Sequence, residues 1–367
     1  MKTCTRDAAM AVTVLSTAVA LAACGSSNGG SSGDASESDR GGSLSIGLLL
    51  PDSTTARWET QDGPLLEAKI KELCGDCAVE HANAKGDVAL QQKQMDSMIT
   101  AGVDALVLVA VDARSLAAVV RSADKADIPV IAYDRLAEGP ISGYASFDGE
   151  EVGRLQGRAL LKAMGGGADR QIVMMNGDPS DPNAVSFKKG ALFVLEGRVK
   201  IGKEYDTLQW RPENAHMNMS GAIAALGVGG IDGVYAANDG LAAGSISALK
   251  SNKVDPLPPV TGQDAELGAL QRILRGDQYM TVYKPFAPEA SAAATMAVAA
   301  ARGESLERLA TDKVSTRGAN AVPAVMLTPV SVTADNIKDT LVKDGVYTVE
   351  QICTPELKAV CVEAGLT

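Results

Sequence analysis

The chain has 367 residues, a formal net charge of −11 and a sequence pI near 4.8. That acidity excludes nucleic acid and anionic lipid as main partners, while the length suits about two domains with their own cores. Aromatic residues make up only 4%, and both tryptophans, Trp58 and Trp210, stand beside an arginine, an unusual place for the largest apolar side chains.

At the amino terminus, Lys2 and Arg6 precede an apolar run from Ala8 to Ala20. The run is shorter than the about 20 residues that a spanning helix needs. Leu21-Ala22-Ala23-Cys24 matches a lipobox, so residues 1–23 read as a lipoprotein signal peptide and Cys24 as the lipidated residue. Residues 24–42 then form a Gly/Ser/Asp-rich tether. The expected location is outside the cell, lipid-anchored to the outer face of the cytoplasmic membrane and touching it in no other way.

After the tether, apolar runs alternate with amphipathic helical patterns. Leu44–Pro51 reads as a strand, followed by a helix through Leu66 and Ile70. Strand Ala78–Ala84, helix Val88–Ala101, strand Ala105–Val111, helix Leu116–Ala126 and strand Pro129–Asp134 continue the rhythm. Further strands are expected at Gln171–Asn176, Val199–Tyr205, Gly233–Asn238, Pro259–Gly262 and Tyr279–Tyr283, with helices at Gly240–Lys250, around Leu267–Leu274 and at Glu289–Ala301. Continuous apolar runs fit parallel strands buried on both faces. The fold class is therefore α/β, with two similar parallel-sheet domains joined by three crossovers, near Phe147, Lys284-Pro285 and Leu327-Thr328. Residues 43–147 with 285–327 would form the first domain, and 148–284 with 328–367 the second. A hinge of this kind places a ligand between the domains, at the carboxyl ends of the strands.

Cys4 leaves with the signal, so Cys74, Cys77, Cys353 and Cys361 remain to pair in an oxidising compartment. Four cysteines allow three pairings, and the local pairs Cys74–Cys77 and Cys353–Cys361 are favoured because each closes a short segment. The alternative for C-G-D-C is a thioredoxin-like redox site, but that motif belongs between a strand and a helix, and here the order is reversed. Two distant histidines, His81 and His216, make a zinc site a weak alternative. No phosphate loop, nucleophile elbow or H-E-x-x-H motif occurs, and Gly165-Gly166-Gly167 precedes a strand as a plain loop. The chain is therefore read as a binding protein, not an enzyme, with no cofactor and no metal.

Charged and amide groups recur where apolar strands end. They are Asp134-Arg135, Asn238-Asp239, Asp264 and Lys284. Singly, each is an ordinary loop residue, and Asp239 reads as a helix N-cap. Together they gather Asp acceptors, Arg and Lys donors and an amide at one edge of a sheet, a set that saturates hydroxyls acting as both donor and acceptor. Flat aromatic rings suit the C–H faces of a pyranose, which gives both tryptophans a reason to sit beside charge.

The motifs R-W after the first strand, A-Y-D-R, S-F-D-G-E-E-V-G, W-R-P-E-N-A, A-N-D-G, G-Q-D-A-E and M-T-V-Y-K-P appear in that order. From about Ser45 to about Gly345 the chain resembles the periplasmic sugar-binding proteins of ATP-binding cassette importers. The resemblance implies a type I periplasmic-binding-protein fold. It also implies that Arg57, Asp134, Arg135, Asn183, Asn238, Asp264 and Lys284 hydrogen-bond a sugar while Trp58 and Trp210 cover its faces. The implied ligand is an aldopyranose, D-xylose first and glucose second, and the implied partner is a membrane permease with its ATPase, served by a monomer. The chain departs from the family at Pro182, where an asparagine is common, and in the C-G-D-C segment and the tail bearing Cys353 and Cys361. Competing readings are a sugar sensor, an exported thiol oxidoreductase and a transcription regulator; the last lacks a DNA-binding segment.

Overall fold

The computed structural model describes residues 43–366. The expected signal peptide with Cys4, the lipidation candidate Cys24, the expected tether to residue 42 and Thr367 lie outside the described residues.

The central strands of the first sheet are short apolar runs buried on both faces, while its edge strand over Ala78–Asn83 is largely exposed, and they pair in parallel. Strands β1 (Ser45–Leu50), β2 (Ala78–Asn83), β3 (Ala105–Leu108), β4 (Val130–Tyr133) and β5 (Gly143–Phe147) form a sheet with β10 (Asp312–Val314) and β11 (Val322–Leu327), in the order β10-β11-β5-β4-β3-β1-β2. Only β10 runs antiparallel, at the edge. A second sheet has the order β7-β6-β8, from β6 (Gln171–Asn176), β7 (Lys200–Asp206) and β8 (Gly233–Ala236). Beside it, β9 (Thr281–Tyr283) pairs antiparallel with β12 (Val330–Val332). The chain thus passes between the large sheet and the other two three times: after β5, after β9, and between β11 and β12.

Helices α1 (Gly63–Leu73), α2 (Val88–Ala101) and α3 (Ala117–Lys125) cover the large sheet. Helix α9 (Phe286–Ala301) also packs on it, and its Ala290, Ala293, Ala294, Met296 and Ala297 are buried against β3, β4 and β5. Small residues let this helix lie close to the sheet while remaining apolar nearly all round. Around the second sheet lie α4 (Gly149–Ala163), α5 (Pro182–Leu195), α6 (Pro212–Leu226) and α7 (Asp239–Ser251). Helices α4 and α5 approach so closely that a Cβ on Gly153 would sit 1.9 Å from the Phe187 carbonyl oxygen, and one on Gly190 1.9 Å from that of Glu150. Any side chain there would push the two helices apart and shift the start of α5.

Several expected boundaries move for identifiable reasons. The run after β3 leaves the regular ladder because the Gln91 side chain takes over, donating to Val109 O at 2.8 Å and accepting from Val111 N at 2.8 Å. Pro259–Gly262 was expected as a strand but forms a single bridge, Val234 to Val260; a proline contributes no N–H to a ladder. Strand β5 and the short strands β10 and β12 carry no long apolar run, and β11, though apolar, is interrupted by Pro323; none of the four is expected as a separate strand from the sequence.

The carboxyl-terminal segment adds α10 (Val349–Ile352) and α11 (Lys358–Glu363), which with α8 (Leu267–Leu274) enclose their own apolar cluster. Ile337, Leu341, Ile352, Leu357, Cys361 and Leu366 join Leu270, Ile273, Leu274 and Phe286 in it. A disulfide joins Cys353 to Cys361, and another joins Cys74 to Cys77. The second lies between α1 and the start of β2, at the amino-terminal edge of the large sheet, so the reversed C-G-D-C order noted in the sequence persists in three dimensions. Both of its cysteines are buried. Among the described residues no helix is long and apolar enough to cross a membrane.

Candidate functional site

The carboxyl ends of the parallel strands converge on a narrow polar cavity. Its lining comes from loops that interrupt the sheets: Thr55 and Trp58 after β1, Asp134 and Arg135 after β4, and Asn238 after β8. Asp181, Asn183 and Phe187 come from the start of α5, Trp210 from between β7 and α6, and Gln263, Asp264 and Lys284 from the segment around β9.

Three of these residues hold left-handed backbone, with φ of 57° at Asp134, 54° at Trp210 and 95° at Asp264. Such conformations cost about 1–3 kcal/mol each and persist where the surroundings enforce them. At Asp134 the enforcement is visible. Tyr144 Oη donates to its carbonyl at 2.9 Å and Ser146 Oγ at 2.7 Å, so the bend after β4 is held by the neighbouring strand β5. Next to Trp210, a Cβ on Gly177 would fall 2.0 Å from the indole ring, so only glycine leaves room for that side chain.

Asp134 is the electrostatic centre. Its Oδ2 lies 2.9 Å from Lys284 Nζ and 3.1 Å from Arg57 Nη1, and its Oδ1 accepts from Asn183 Nδ2 at 2.8 Å. Burial alone would raise its carboxyl, but Lys284 and then Arg57 overcome that and hold it at about 2. The same two cations reach Asp264 Oδ1, at 3.3 Å from Lys284 and 3.6 Å from Arg57. Arg135 pairs with Asp181 at 2.7 Å and donates to Ala110 O at 3.1 Å. Burial pushes the Asp181 carboxyl up to about 6 although Arg135 opposes it. Trp58 lies between the two arginines, with Arg57 Cζ 4.6 Å and Arg135 Cζ 5.5 Å from its ring centroid, within cation–π range.

Eight of the nine residues named from the sequence therefore line one cavity: Trp58, Asp134, Arg135, Asn183, Trp210, Asn238, Asp264 and Lys284. Arg57 is not among the lining side chains. It stands one layer behind, where Asp62 accepts from its Nε at 2.7 Å, Glu289 from its Nη2 at 2.8 Å, and Phe286 stacks at 4.8 Å. Asp239 corrects the sequence reading. The cap of α7 is Asn238, whose Oδ1 accepts from Leu241 N at 2.9 Å, leaving its NH₂ as the free end of the amide. Asp239 is buried inside the helix start, where it accepts from Gln278 Nε2 at 2.7 Å, Thr281 Oγ1 at 2.9 Å and Glu266 N at 3.0 Å.

Thr55, Asp181, Phe187 and Gln263 also line the cavity and were not singled out from the sequence. Asp181 had a signal: an aspartate directly before Pro182 is the signature of a helix start. It caps α5 by accepting from Asn183 N at 2.9 Å. Phe187 lies one turn beyond Asn183 on α5, on the same face. No side-chain cluster among the described residues has the make-up to hold a metal ion.

Two lobes of parallel sheet, three crossovers and a polar cavity with two tryptophans at the strand ends define a two-lobed solute-binding protein. Comparison with known proteins agrees. The family profile described as "Periplasmic binding protein domain" matches residues 46–305. The D-xylose-binding periplasmic protein of Escherichia coli (strain K12) is 36% identical over 83% of this chain and 91% of its own length. The multiple sugar-binding periplasmic receptor ChvE of Rhizobium radiobacter is 31% identical over 84% of this chain and 92% of its own length. Among solved structures, a solute-binding protein of an ABC transporter from Clostridium phytofermentans with bound β-D-glucose superposes with a TM-score of 0.78. It is 31% identical, and the match covers 84% of this chain and 99% of that one. The chain belongs to the periplasmic sugar-binding proteins of ATP-binding cassette importers, and its fold is the type I periplasmic-binding-protein fold. Its relatives are exported binding proteins, not enzymes.

Proposed function

We propose that this protein captures a single aldopyranose, D-xylose in preference to D-glucose, in the cavity between its two lobes and delivers it to a membrane permease. The observation that carries the reading is the make-up of the cavity. Fixed carboxylates, cations and amides alternate around a space flanked by Trp58 and Trp210, which matches hydroxyls on a ring with apolar faces. The preference for D-xylose rests on the relatives from Escherichia coli and Haemophilus influenzae, whose names specify that sugar. The structural neighbours carrying glucose keep that sugar second.

In this reading Asp134, Arg135, Asn183, Asn238, Asp264 and Lys284 bind hydroxyls, with Arg57 behind them holding Asp134. The first lobe comprises residues 43–147 and 285–327, the second 148–284 and 328–367. Sugar favours the closed arrangement, and the permease recognises it. The lipobox at Cys24 supports a lipid anchor on the outer face of the membrane, with the protein acting as a monomer. A sensing output is the second reading, favoured by the relative that is called a receptor.

Calorimetry against aldopentoses and aldohexoses tests the proposal. One sugar should bind at one per chain with micromolar or tighter affinity, about −8 kcal/mol or better, and be recovered unchanged. Absence of binding across the panel would remove the sugar reading.

A further inference from the structure

Most polar groups around the cavity satisfy one another, and Arg135 Nε, though poorly aligned for a hydrogen bond, lies 2.7 Å from Asp181 Oδ2. Three other lining residues keep a buried polar atom without a partner among the described residues: Trp58 Nε1, Trp210 Nε1 and Gln263 Oε1. Buried polar atoms are rarely left this way, because each costs about 1–3 kcal/mol. Two of the three are donors and belong to the tryptophans. The third is an acceptor, in the residue before Asp264 in the G-Q-D-A-E motif, and the sequence alone gives it no role.

Gln263 is 2% exposed and lies beside Asp264, in the segment that runs alongside β8. Its backbone is fixed, since Asp239 N donates to Gln263 O at 2.9 Å. Its side chain is oriented too. Nε2 donates to Ala237 O at 3.3 Å, and a carbonyl can only accept, so the amide nitrogen must occupy that end. The oxygen is thereby turned away from the backbone and remains unpaired in a residue that lines the cavity. The cations Arg57 and Lys284 are engaged with Asp134 and Asp264, so neither is paired with this oxygen.

We infer that Gln263 Oε1 accepts a hydrogen bond from one hydroxyl of the bound sugar and that Gln263 is a specificity-determining residue of the site. The inference rests on the sugar-binding reading and adds a residue to it. A neutral acceptor differs in kind from the carboxylates around it. It discriminates by hydroxyl position, because an analogue lacking that hydroxyl leaves the amide oxygen buried and unpaired.

The test is a set of affinities of wild type, Gln263→Met and Gln263→Glu for D-xylose, D-glucose and their monodeoxy analogues. In the wild type, one analogue of the sugar that binds should be weaker than its parent by tenfold or more through this contact. In Gln263→Met the parent should bind more weakly, and the penalty for that same analogue should shrink to less than threefold. Gln263→Glu keeps an acceptor oxygen at the position and should retain the penalty. If Gln263→Met lowers parent and analogues by one common factor, or changes nothing, Gln263 only supports the backbone and the inference is overturned. Failure of both parent sugars to bind the wild type would overturn the sugar reading itself, a result distinct from an unchanged deoxy pattern.

Discussion

Two sets of carboxylates in this molecule, Asp134 on one side and buried Asp239 with half-buried Glu266 on the other, are pushed in opposite directions by their surroundings. Asp134 sits between Lys284 and Arg57, and these cations overcome burial and keep it ionised. Asp239 and Glu266, at the start of α7 and just before α8, face mainly neutral donors and each other. Burial pushes Asp239 up to about 7, and Glu266 up to about 8 with the charges of Asp239 and Asp264 adding to it, while Arg272 opposes both shifts. Residue type does not set the charge of a buried acid; the balance between burial and the charges around it does. The group facing the cavity is kept charged, and the group beside it is held toward its neutral form.

Breaking the charged side should have the largest effect. Asp134→Ala removes the acceptor shared by Lys284, Arg57 and Asn183. It should weaken sugar binding by more than about 1.4 kcal/mol, roughly tenfold, because buried donors are left unpaired. Calorimetry checks this, with circular dichroism to show that the variant is folded; unchanged affinity would remove Asp134 from the site.

The carboxyls held toward their neutral form should respond to pH instead. A carboxyl whose folded pKa is raised favours folding least when ionised, so its penalty grows as pH rises from the unfolded value to the folded one. For Glu266 that window runs from the ordinary carboxylate range to about 8. Glu266→Gln removes the titration while keeping an oxygen for the Ala56 amide. Its Tm should match the wild type near pH 4 and exceed it increasingly toward pH 8. A constant difference across that range would contradict the assignment. Asp134 has the opposite sign: its contribution is present above the ordinary carboxylate range and is lost as pH falls toward about 2.

The smallest effect should come from the far edge of the large sheet. Cys74→Ser with Cys77→Ser should change sugar affinity less than threefold, under roughly 0.7 kcal/mol, while lowering Tm. A folded double variant with a large affinity loss would show that the amino-terminal edge communicates with the cavity.

These contrasts also mark what could be read in the sequence. The apolar runs of β1, β3, β4 and β6 announce themselves because parallel strands buried on both faces need no polar positions. The charged strand ends stand out against them, which is why Asp134, Arg135, Asn238, Asp264 and Lys284 were visible before any coordinates. Short edge strands such as β10 and β12 have only three residues each and no periodicity to detect. Asp181 and Gln263 were hidden for a different reason. Each resembles a routine helix cap or strand flank, and only their convergence from distant segments gives them a role. Arg57 shows the reverse limit: its motif was plain, but its position behind Asp134 depends on Asp62 and Glu289, which no spacing rule connects to it.

The central claim is that the cavity holding both tryptophans is the place where sugar binds, and tryptophan fluorescence tests it most directly. Trp58 and Trp210 are the only tryptophans in the chain, and both line that cavity. Saturating sugar should therefore shift or quench the emission in step with the heat measured by calorimetry on the same sample. Trp58→Phe and Trp210→Phe should each retain part of the response. Stoichiometric binding with unchanged emission, in wild type and both variants, would place the sugar elsewhere and contradict the account.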